Sequence, residues 1–382
     1  MRLILSVAGS ALVVLLVLVA AGFIRGMSES LTVTGGRYNV IVMGAGSEES
    51  VERSEIDAAV PSLLTSTILG IRTRAGVAYV SPEVQAMLPI RTTQAFTSPG
   101  TAPLVMVRGI TPAAALVHEK VAMIAGRWPG NGQDEVIVGR MAAAVLGVDD
   151  SELAIGKSIT IDNQSRTIVG RFAAPGTVVE AEVWMPLTDL TATTRRETIS
   201  CVVLTLEPYN EATGDGAEFA DIDAFTKARP DLELTAITEL DYYGKIASFF
   251  GPIKIIVWTT AGLISIGGLF GGLITMYAAF ASRSRELGTL AAIGFRRSAI
   301  LLSMIQESTL ASAAGGLLAC AVGLFLLNGM AVRFSMGAFG LIIDFEVVGL
   351  GLLCGLALGI IGALPPAIKC LRQSIPLALK AV

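Results

Sequence analysis

Four long apolar runs constrain this chain more than any other feature of its sequence. A helix needs about 20 apolar residues to cross the hydrocarbon core of a bilayer, and each run approaches or exceeds that length. Hydrophobic residues make up 53% of the chain and charged residues only 16%, which is too apolar for a single soluble globule. The sequence therefore predicts an α-helical membrane protein with four transmembrane helices, arranged 1 + 3. The predicted spans are 1–24, 252–281, 299–330 and 347–364.

The first apolar run resembles a secretory signal, because Arg2 precedes it and Val19-Ala20-Ala21 approximates a cleavage site. Its apolar part extends from Leu3 to Ile24, longer than the usual h-region of about 7–15 residues. We therefore expect an uncleaved helix.

The distribution of Lys and Arg predicts the orientation, because cytoplasmic loops are enriched in both. With both termini inside, the short outer loop at 331–346 holds only Arg333. The large extracytoplasmic region is then 25–251, and the cytoplasmic parts are a segment at 282–298 and a tail at 365–382. The basic residues on the cytoplasmic side are Arg2, Arg283, Arg285, Arg296, Arg297, Lys369, Arg372 and Lys380.

The region 25–251 has the pattern of an α+β domain. A strand is expected at Tyr38 to Val42 and a helix at Val51 to Leu64. Dense turn signals between short alternating segments predict a β-rich insert at about 124–190. The region carries 18 basic and 28 acidic residues, a net charge of −10, which disfavours binding to nucleic acid.

Catalytic and metal-binding motifs are weak throughout. Gly156-Lys157-Ser158 lacks the earlier glycine of a P-loop and is interpreted as a β-turn. The single histidine, His118, is interpreted as a surface or structural residue. The acidic residues Glu180, Glu182 and Asp189 are interpreted as a solvated edge. The sequence therefore predicts no catalytic residue, no metal site and no bound cofactor in this chain.

Small and polar residues stand out within the apolar runs. Glycines at helical spacing permit close helix packing or dimer contacts. Gln306 and Glu307 lie about two turns into the third span, where a carboxylate is costly unless it is paired. We expect a buried, hydrogen-bonded Glu307 near the cytoplasmic boundary, paired with an arginine of 283–297, and an ion or substrate path is the alternative. The glycines are Gly267, Gly268, Gly271, Gly272, Gly351, Gly355 and Gly359.

The segment from Ser284 to Arg297, SRELGTLAAIGFRR, is followed by Gln306-Glu307-Ser308 and Gly315-Gly316. This pattern resembles the signature of the FtsX/MacB-type permeases of ABC transporters. The closing segment Pro365 to Leu379 and the motifs Ala125 to Pro129 and Asp134 to Gly139 are also similar to that family. One departure from the pattern of that family is that only Met1 and Arg2 precede the first apolar run. The start of this sequence is therefore expected to be a shorter variant or a truncation.

The resemblance implies that a cytoplasmic coupling helix docks on a separate ABC ATPase subunit, which would bind ATP and Mg. It also implies a second permease copy, as a homodimer or a heterodimer with a paralogue, and a periplasmic membrane-fusion adaptor as a further candidate partner. In this sequence, apolar residues at helical spacing form a compact face, arginines flank it, and glycines can end the helix, so the segment fits this role. The candidate coupling residues are Arg283, Arg285, Glu286, Leu287, Gly288, Leu290, Ile293, Gly294, Arg296 and Arg297.

Since the apolar runs predict a membrane protein, the resemblance implies the permease subunit of an ABC transporter in the bacterial plasma membrane. Its expected role is the export or extraction of a hydrophobic or amphiphilic compound. An FtsX-like protein that transmits motion to a cell-wall hydrolase without transport is the alternative, although the large outer region favours the transporter. A membrane-anchored enzyme is the third hypothesis, and the missing catalytic constellation disfavours it.

Overall fold

The structure is a computed structural model that describes residues 2–92, 102–209, 216–334 and 337–372. It divides into two compact units. The helical unit comprises Met1–Gly26, Gly251–Met330 and Leu341–Val382, and the sheet unit comprises Met27–Phe250 and Ala331–Gly340. The tail motif from Ile375 to Leu379 lies outside the described residues.

Eleven α-helices occur in the described ranges. They are α1 Arg2–Thr34, α2 Val60–Thr67, α3 Ala114–Val117, α4 Ala142–Leu146, α5 Leu187–Thr194, α6 Phe219–Ala228, α7 Glu239–Phe249, α8 Gly251–Ala281, α9 Ser284–Ala292, α10 Arg297–Val322 and α11 Phe345–Leu371. The strands are β1 Asn39–Gly44, β2 Thr73–Arg74, β3 Val77–Ala78, β4 Val80–Arg91, β5 Leu104–Ile110, β6 Ala122–Gly126, β7 Glu135–Gly139, β8 Ser158–Ile161, β9 Gln164–Ala173, β10 Val183–Pro186, β11 Cys201–Thr205, β12 Leu234–Thr238, β13 Ala331–Phe334 and β14 Gly337–Gly340.

Among the described residues, four helices are long and apolar enough to cross a membrane: α1, α8, α10 with the π-helical turn Gly323–Leu327, and α11. Helix α10 packs mainly on α11, which also contacts α8. Helix α11 continues through Pro365 and Pro366 to Leu371, beyond the predicted end of this span at 364. Neighbouring groups can satisfy the backbone at prolines in membrane helices, so this continuation is physically reasonable.

The sheet unit is built around a ten-stranded sheet of the described strands, and it has its own apolar core. The order is β12-β1-β11-β4-β5-β10-β7-β9-β6, and β8 pairs with β4 and β9. The long strand β4 joins the two halves, because its first residues pair with β11 and its later residues with β5. Most pairs are antiparallel, whereas β10 is parallel to β5 and β7 is parallel to β9.

One prediction for this region needs correction. The stretch at 124–190 is rich in strands, as expected, and these strands continue the main sheet, because β10 pairs with β5 and β8 pairs with β4. The helix predicted from Val51 to Leu64 is broken into a 3₁₀ turn, Val51–Arg53, and α2. Between them Ile56 makes a β-bridge with Ile199, and Pro61 lies in the first turn of α2. The tertiary bridge overrides the local helical pattern.

The predicted outer loop at 331–346 contains a hairpin. Strands β13 and β14 pair antiparallel from Ala331↔Gly340 to Phe334↔Gly337. The hairpin contacts α4 and the 3₁₀ turn Val178–Ala181, and Ala338, which is 1% exposed, joins the core of the sheet unit. The hairpin therefore belongs structurally to the sheet unit, although α10 and α11 flank it in sequence.

Candidate functional site

The segment at 282–298 forms a short helix between two candidate spans. Helix α8 ends at Ala281, α9 covers Ser284–Ala292, and α10 begins at Arg297. Gly294 has φ +103, a left-handed conformation that glycine adopts readily and that stops the helix. The segment is thus a helix with its own termination, as the sequence predicted.

One side of α9 is attached to the helical unit. Leu287 and Ala291 pack against a cluster that contains Phe280, Ile300 and Met304. Leu287, one of the candidate coupling residues, therefore packs on the helical unit. Its spacing with Ala291, four residues apart, places both on the anchored side. Gly288 is also buried.

The other side of the segment is exposed and apolar. Leu290 is 39% exposed, Ile293 71% and Phe295 56%. Phe295 was not among the predicted coupling residues, although it stands directly after Gly294. In the part of the chain that the structure describes, no carboxylate lies within ion-pair distance of the exposed Arg285, Arg296 and Arg297. The segment thus presents an apolar patch flanked by uncompensated positive charge.

Arg283 fixes the start of this segment. Its Nη1 donates to both carboxylate oxygens of Glu307 at 2.9 Å, and its Nε donates to Glu286 Oε2 at 3.0 Å. The expected pairing of Glu307 with an arginine of 283–297 is therefore present, but both side chains are about half exposed rather than buried. Gln306, its neighbour in α10, is exposed.

The glycines of α11 and α8 face different environments. A Cβ on Gly351, Gly355 or Gly359 would meet atoms of α1 or α10 at 2.7–3.3 Å, so these glycines permit close packing within the chain. On α8, a Cβ on Gly268 would come within 2.3 Å of Val13. The other candidate packing glycines of α8 have nothing within 4 Å of a Cβ position in the described structure, and only 6% of the apolar window of α8 is buried. They are Gly267, Gly271 and Gly272.

A buried ionic network connects residues in or next to strands β4, β5 and β10 of the sheet unit. Arg108 donates to Glu83 Oε2 (2.5 Å) and, with two nitrogens, to Glu182 Oε2 and Oε1 (2.7 and 2.6 Å). Glu83 Oε1 lies 2.6 Å from His118 Nε2, and Trp184 Nε1 donates to Glu182 at 2.7 Å. All five side chains are at least nine-tenths buried.

Charge balance sets the protonation of this network. Burial raises the pKa of Glu83, but His118 and Arg108 together lower it to about 2. For His118, burial lowers the pKa, and the opposing effect of Glu83 raises it above the usual value. With His118 protonated, two carboxylates face two cations and the cluster is neutral. A buried charge needs such a partner.

Comparison with known proteins identifies the family. Residues 3–218, more than half of the chain, match the MacB-like periplasmic core domain, and residues 258–375 match the FtsX-like permease C-terminal domain. The chain belongs to the FtsX/MacB-like ABC transporter permease family. This permease is a membrane protein with an extracytoplasmic α/β domain, which corresponds to the sheet unit.

The relatives below align with only part of the permease chain. The uncharacterized ABC transporter permease YknZ of Bacillus subtilis is 23% identical over 58% of this chain and 56% of its own length. The macrolide export ATP-binding/permease protein MacB of Brucella abortus is 32% identical over 38% of this chain and 22% of its own length. The MacB of Bradyrhizobium diazoefficiens is 25% identical over 61% of this chain and 36% of its own length. The matched regions thus span between about a fifth and just over half of these relatives.

Among solved structures, the periplasmic region of MacB from Actinobacillus actinomycetemcomitans aligns with 58% of the permease chain. The alignment has a TM-score of 0.40 and 10% identity, and it covers 95% of that structure.

The structure changes one interpretation of polar residues in the permease and decides another. Glu180, Glu182 and Asp189 do not form a solvated edge, because they are 1%, 5% and 7% exposed. Glu182 pairs with Arg108, and Asp189 accepts hydrogen bonds from the backbone of Gly132. His118 is buried, so it is a structural histidine rather than a surface one. Their partners lie far away in sequence, which local composition does not reveal.

The interpretation of Gly156 as part of a β-turn is confirmed, since it adopts φ +89 and the N–H of Lys157 donates to the carbonyl of Ala154 at 3.1 Å, just before β8. Within the described ranges, no group of three or more His, Cys, Asp or Glu side chains is placed to hold a metal ion.

Proposed function

We propose that this chain is the transmembrane permease subunit of an ABC transporter and transmits the motion of a separate ATPase subunit to its extracytoplasmic domain. The proposed cargo is a hydrophobic or amphiphilic compound that is exported or extracted. Family membership supports the permease role, and the named MacB relatives are macrolide exporters. The proposed orientation places both termini and the segment at 282–298 in the cytoplasm.

The observation that carries this proposal is the two-sided structure of α9. Leu287 and Ala291 attach it to the helical unit, whereas Leu290, Ile293 and Phe295 are exposed. An apolar patch rimmed by arginines is suited to a groove on a soluble partner, because apolar anchors supply affinity and rim charges steer association. The anchored side would carry force from that partner into α8 and α10.

A second permease copy is the proposed partner for α8. Its open glycines, Gly267, Gly271 and Gly272, would let another helix approach closely. The low burial of α8 in the single chain supports this assignment.

The coupling step is tested with the full-length permease and the ABC ATPase that co-purifies with it, reconstituted in nanodiscs. The double variant Arg285→Glu with Leu290→Asp should abolish permease-stimulated ATP hydrolysis while the amount of membrane-inserted protein stays unchanged. The matched control is Arg74→Glu with Val77→Asp, the same chemical changes at exposed positions of β2 and β3, and it should retain stimulation. Unchanged stimulation in the first variant would refute the coupling role of α9.

A labelling experiment tests the orientation, and mass spectrometry of bound compounds tests whether the permease transports a compound. A cysteine at Asn131 should react with an impermeant reagent from outside, and one at Thr289 should not. A hydrophobic compound that co-purifies and is released by ATP would support transport. Activation of a cell-wall hydrolase without such a compound would instead support the FtsX-like alternative.

A further inference from the structure

The last turn of α1 is held by several parts of the sheet unit. The backbone N–H of Val178 donates to Thr34 Oγ1 at 3.0 Å, and Lys120 donates to the carbonyl of Val33. Just beyond the helix, the N–H of Gly36 donates to Glu239 Oε2 at 2.7 Å. Because Glu239 is the first residue of α7, the end of α1 meets the start of α7 across 203 positions of sequence.

The Glu239 carboxylate is the centre of this junction. It is 3% exposed, and its Oε2 also accepts a hydrogen bond from Asn39 Nδ2 at 2.8 Å. Asn39, in β1, further donates to the carbonyl of Val117 and accepts from Thr205. A buried carboxylate is tolerated when its oxygen receives such charge-assisted hydrogen bonds. One side chain thus joins α1, β1 and α7.

Two glycines make this close approach possible. A Cβ on Gly36 would lie 2.6 Å from Asn39 Nδ2 and 3.0 Å from Glu239 Oε2, and a Cβ on Gly35 would lie 3.0 Å from the Cα of Leu240. Any side chain at 36 would therefore displace the carboxylate or the amide that holds it. Gly244, further along α7, has nothing within 4 Å of its Cβ position and offers a matched comparison.

Both joined elements connect directly to candidate membrane spans. Helix α1 contains the candidate span Ser6–Thr34, whose last residues, from Met27, belong to the sheet unit, and α7 is separated from α8 only by Phe250. Motion in either span would arrive at the sheet unit through α1 or α7. A rigid joint between them would prevent one from shifting without the other.

We propose that Glu239 is a positioning residue whose carboxylate locks the end of α1 to the start of α7, so that the two membrane-connected segments move as one body. The role of this contact in transmitting motion rests on the proposed coupling function, but the existence of the contact, which we call the lock, does not. The two can therefore be tested separately.

The lock is tested by hydrogen exchange of the full-length permease in nanodiscs without nucleotide or ATPase. In Glu239→Ala, amides at 33–40 and 239–249 should exchange about tenfold faster or more, because a hydrogen bond to a charged group is lost. Gly36→Ala should reproduce this pattern from the other side of the joint. Glu239→Gln, which keeps an acceptor oxygen, should restore most of the protection. The control Glu197→Ala, at an exposed acidic residue, should match the wild type. The control Gly244→Ala should show no acceleration at 33–40 and slower exchange, if any change, in α7, because alanine stabilises a helix interior relative to glycine.

Two results would overturn the lock. One is unchanged exchange at 33–40 in Glu239→Ala. The other is equal acceleration in β7 and β9, which would indicate global destabilisation rather than a local joint.

The coupling purpose is then tested by adding the ATPase and ATP. Wild-type amides at 33–40 and 239–249 should change together, whereas in Glu239→Ala only one of the two segments should respond. A variant in which both still respond together would refute the role of Glu239 in positioning. If the wild type shows no ATP response, the proposed coupling function fails, while the nucleotide-free measurement still decides whether the joint exists.

Discussion

Replacing Arg108 with methionine should destabilise the sheet unit strongly. The change removes the guanidinium that contacts Glu83 and both oxygens of Glu182, and the two carboxylates stay buried. Only His118 remains to compensate them, and it contacts Glu83 alone. Loss of one partner from a buried ion pair typically costs about 3–5 kcal/mol. In a domain of about 150–250 residues, each kcal/mol lowers Tm by about 2–4 °C, so the Tm should fall by about 6–20 °C.

The assay is thermal unfolding of the full-length permease in detergent, followed by tryptophan fluorescence. Trp184 is a suitable reporter because its indole donates to Glu182 and lies against Phe172, with ring centroids 4.9 Å apart. Arg74→Met, at an exposed position, is the control and should change stability by no more than about 0.5 kcal/mol.

A triple variant separates charge from packing. Arg108→Met combined with Glu83→Gln and Glu182→Gln removes all three charges, and neutral replacements of buried ion pairs are often tolerated. Its Tm should therefore recover at least half of the loss. A fall of less than about 2 °C in Arg108→Met would refute the argument that its guanidinium compensates the two carboxylates.

Two further predictions concern charge. His118 is the single histidine, so NMR of labelled imidazole should show its pKa above 6.5 in the wild type and a lower pKa in Glu83→Gln, because Glu83 raises it against the effect of burial. Because the folded pKa of His118 is raised, its contribution to stability is complete below pH 6.5 and is lost as pH rises through the folded pKa. The pKa of Glu83 is lowered, so its contribution is lost as pH falls from 4.5 towards about 2. An imidazole that titrates below 6.5 would contradict the network. In the helical unit, Glu307→Arg should reduce ATPase stimulation, because it breaks the ion pair with Arg283. Adding Arg283→Glu in the same chain should restore at least part of the stimulation, because the pair is re-formed in reverse. If it restores none, the Arg283–Glu307 contact is not what positions α9.

The parts of the fold that were predictable depend on local pattern. A long apolar run specifies a helix of membrane length without reference to the rest of the chain, and α8 and α10 begin within two residues of the predicted positions. The strand predicted from Tyr38 to Val42 overlaps β1, because its run of β-branched residues is also a local signal. Gly294 was identifiable as a helix terminus because glycine readily adopts positive φ.

The ionic network was not predictable, because its contacts connect distant strands. Arg108 and Glu182 are 74 positions apart, and only the pairing of β10 with β5 brings them together. Acidic residues in an acidic region are usually solvated, which is why Glu180 and Glu182 were misassigned. The sequence also does not show which residues of α9 are exposed, because Leu287 and Leu290 are equally apolar and only their packing distinguishes them.

The β13–β14 hairpin affects how this permease can be divided for experiments. The extracytoplasmic domain is discontinuous in sequence, because 331–340 contributes to it from between two candidate membrane helices. A fragment cut at 27 and 250 would lack Ala338, leave its place in the apolar core open, and lose the contacts of the hairpin with α4. An excised domain that retains the native surface therefore requires residues 331–340 to be supplied, for example by a linker fused after α7.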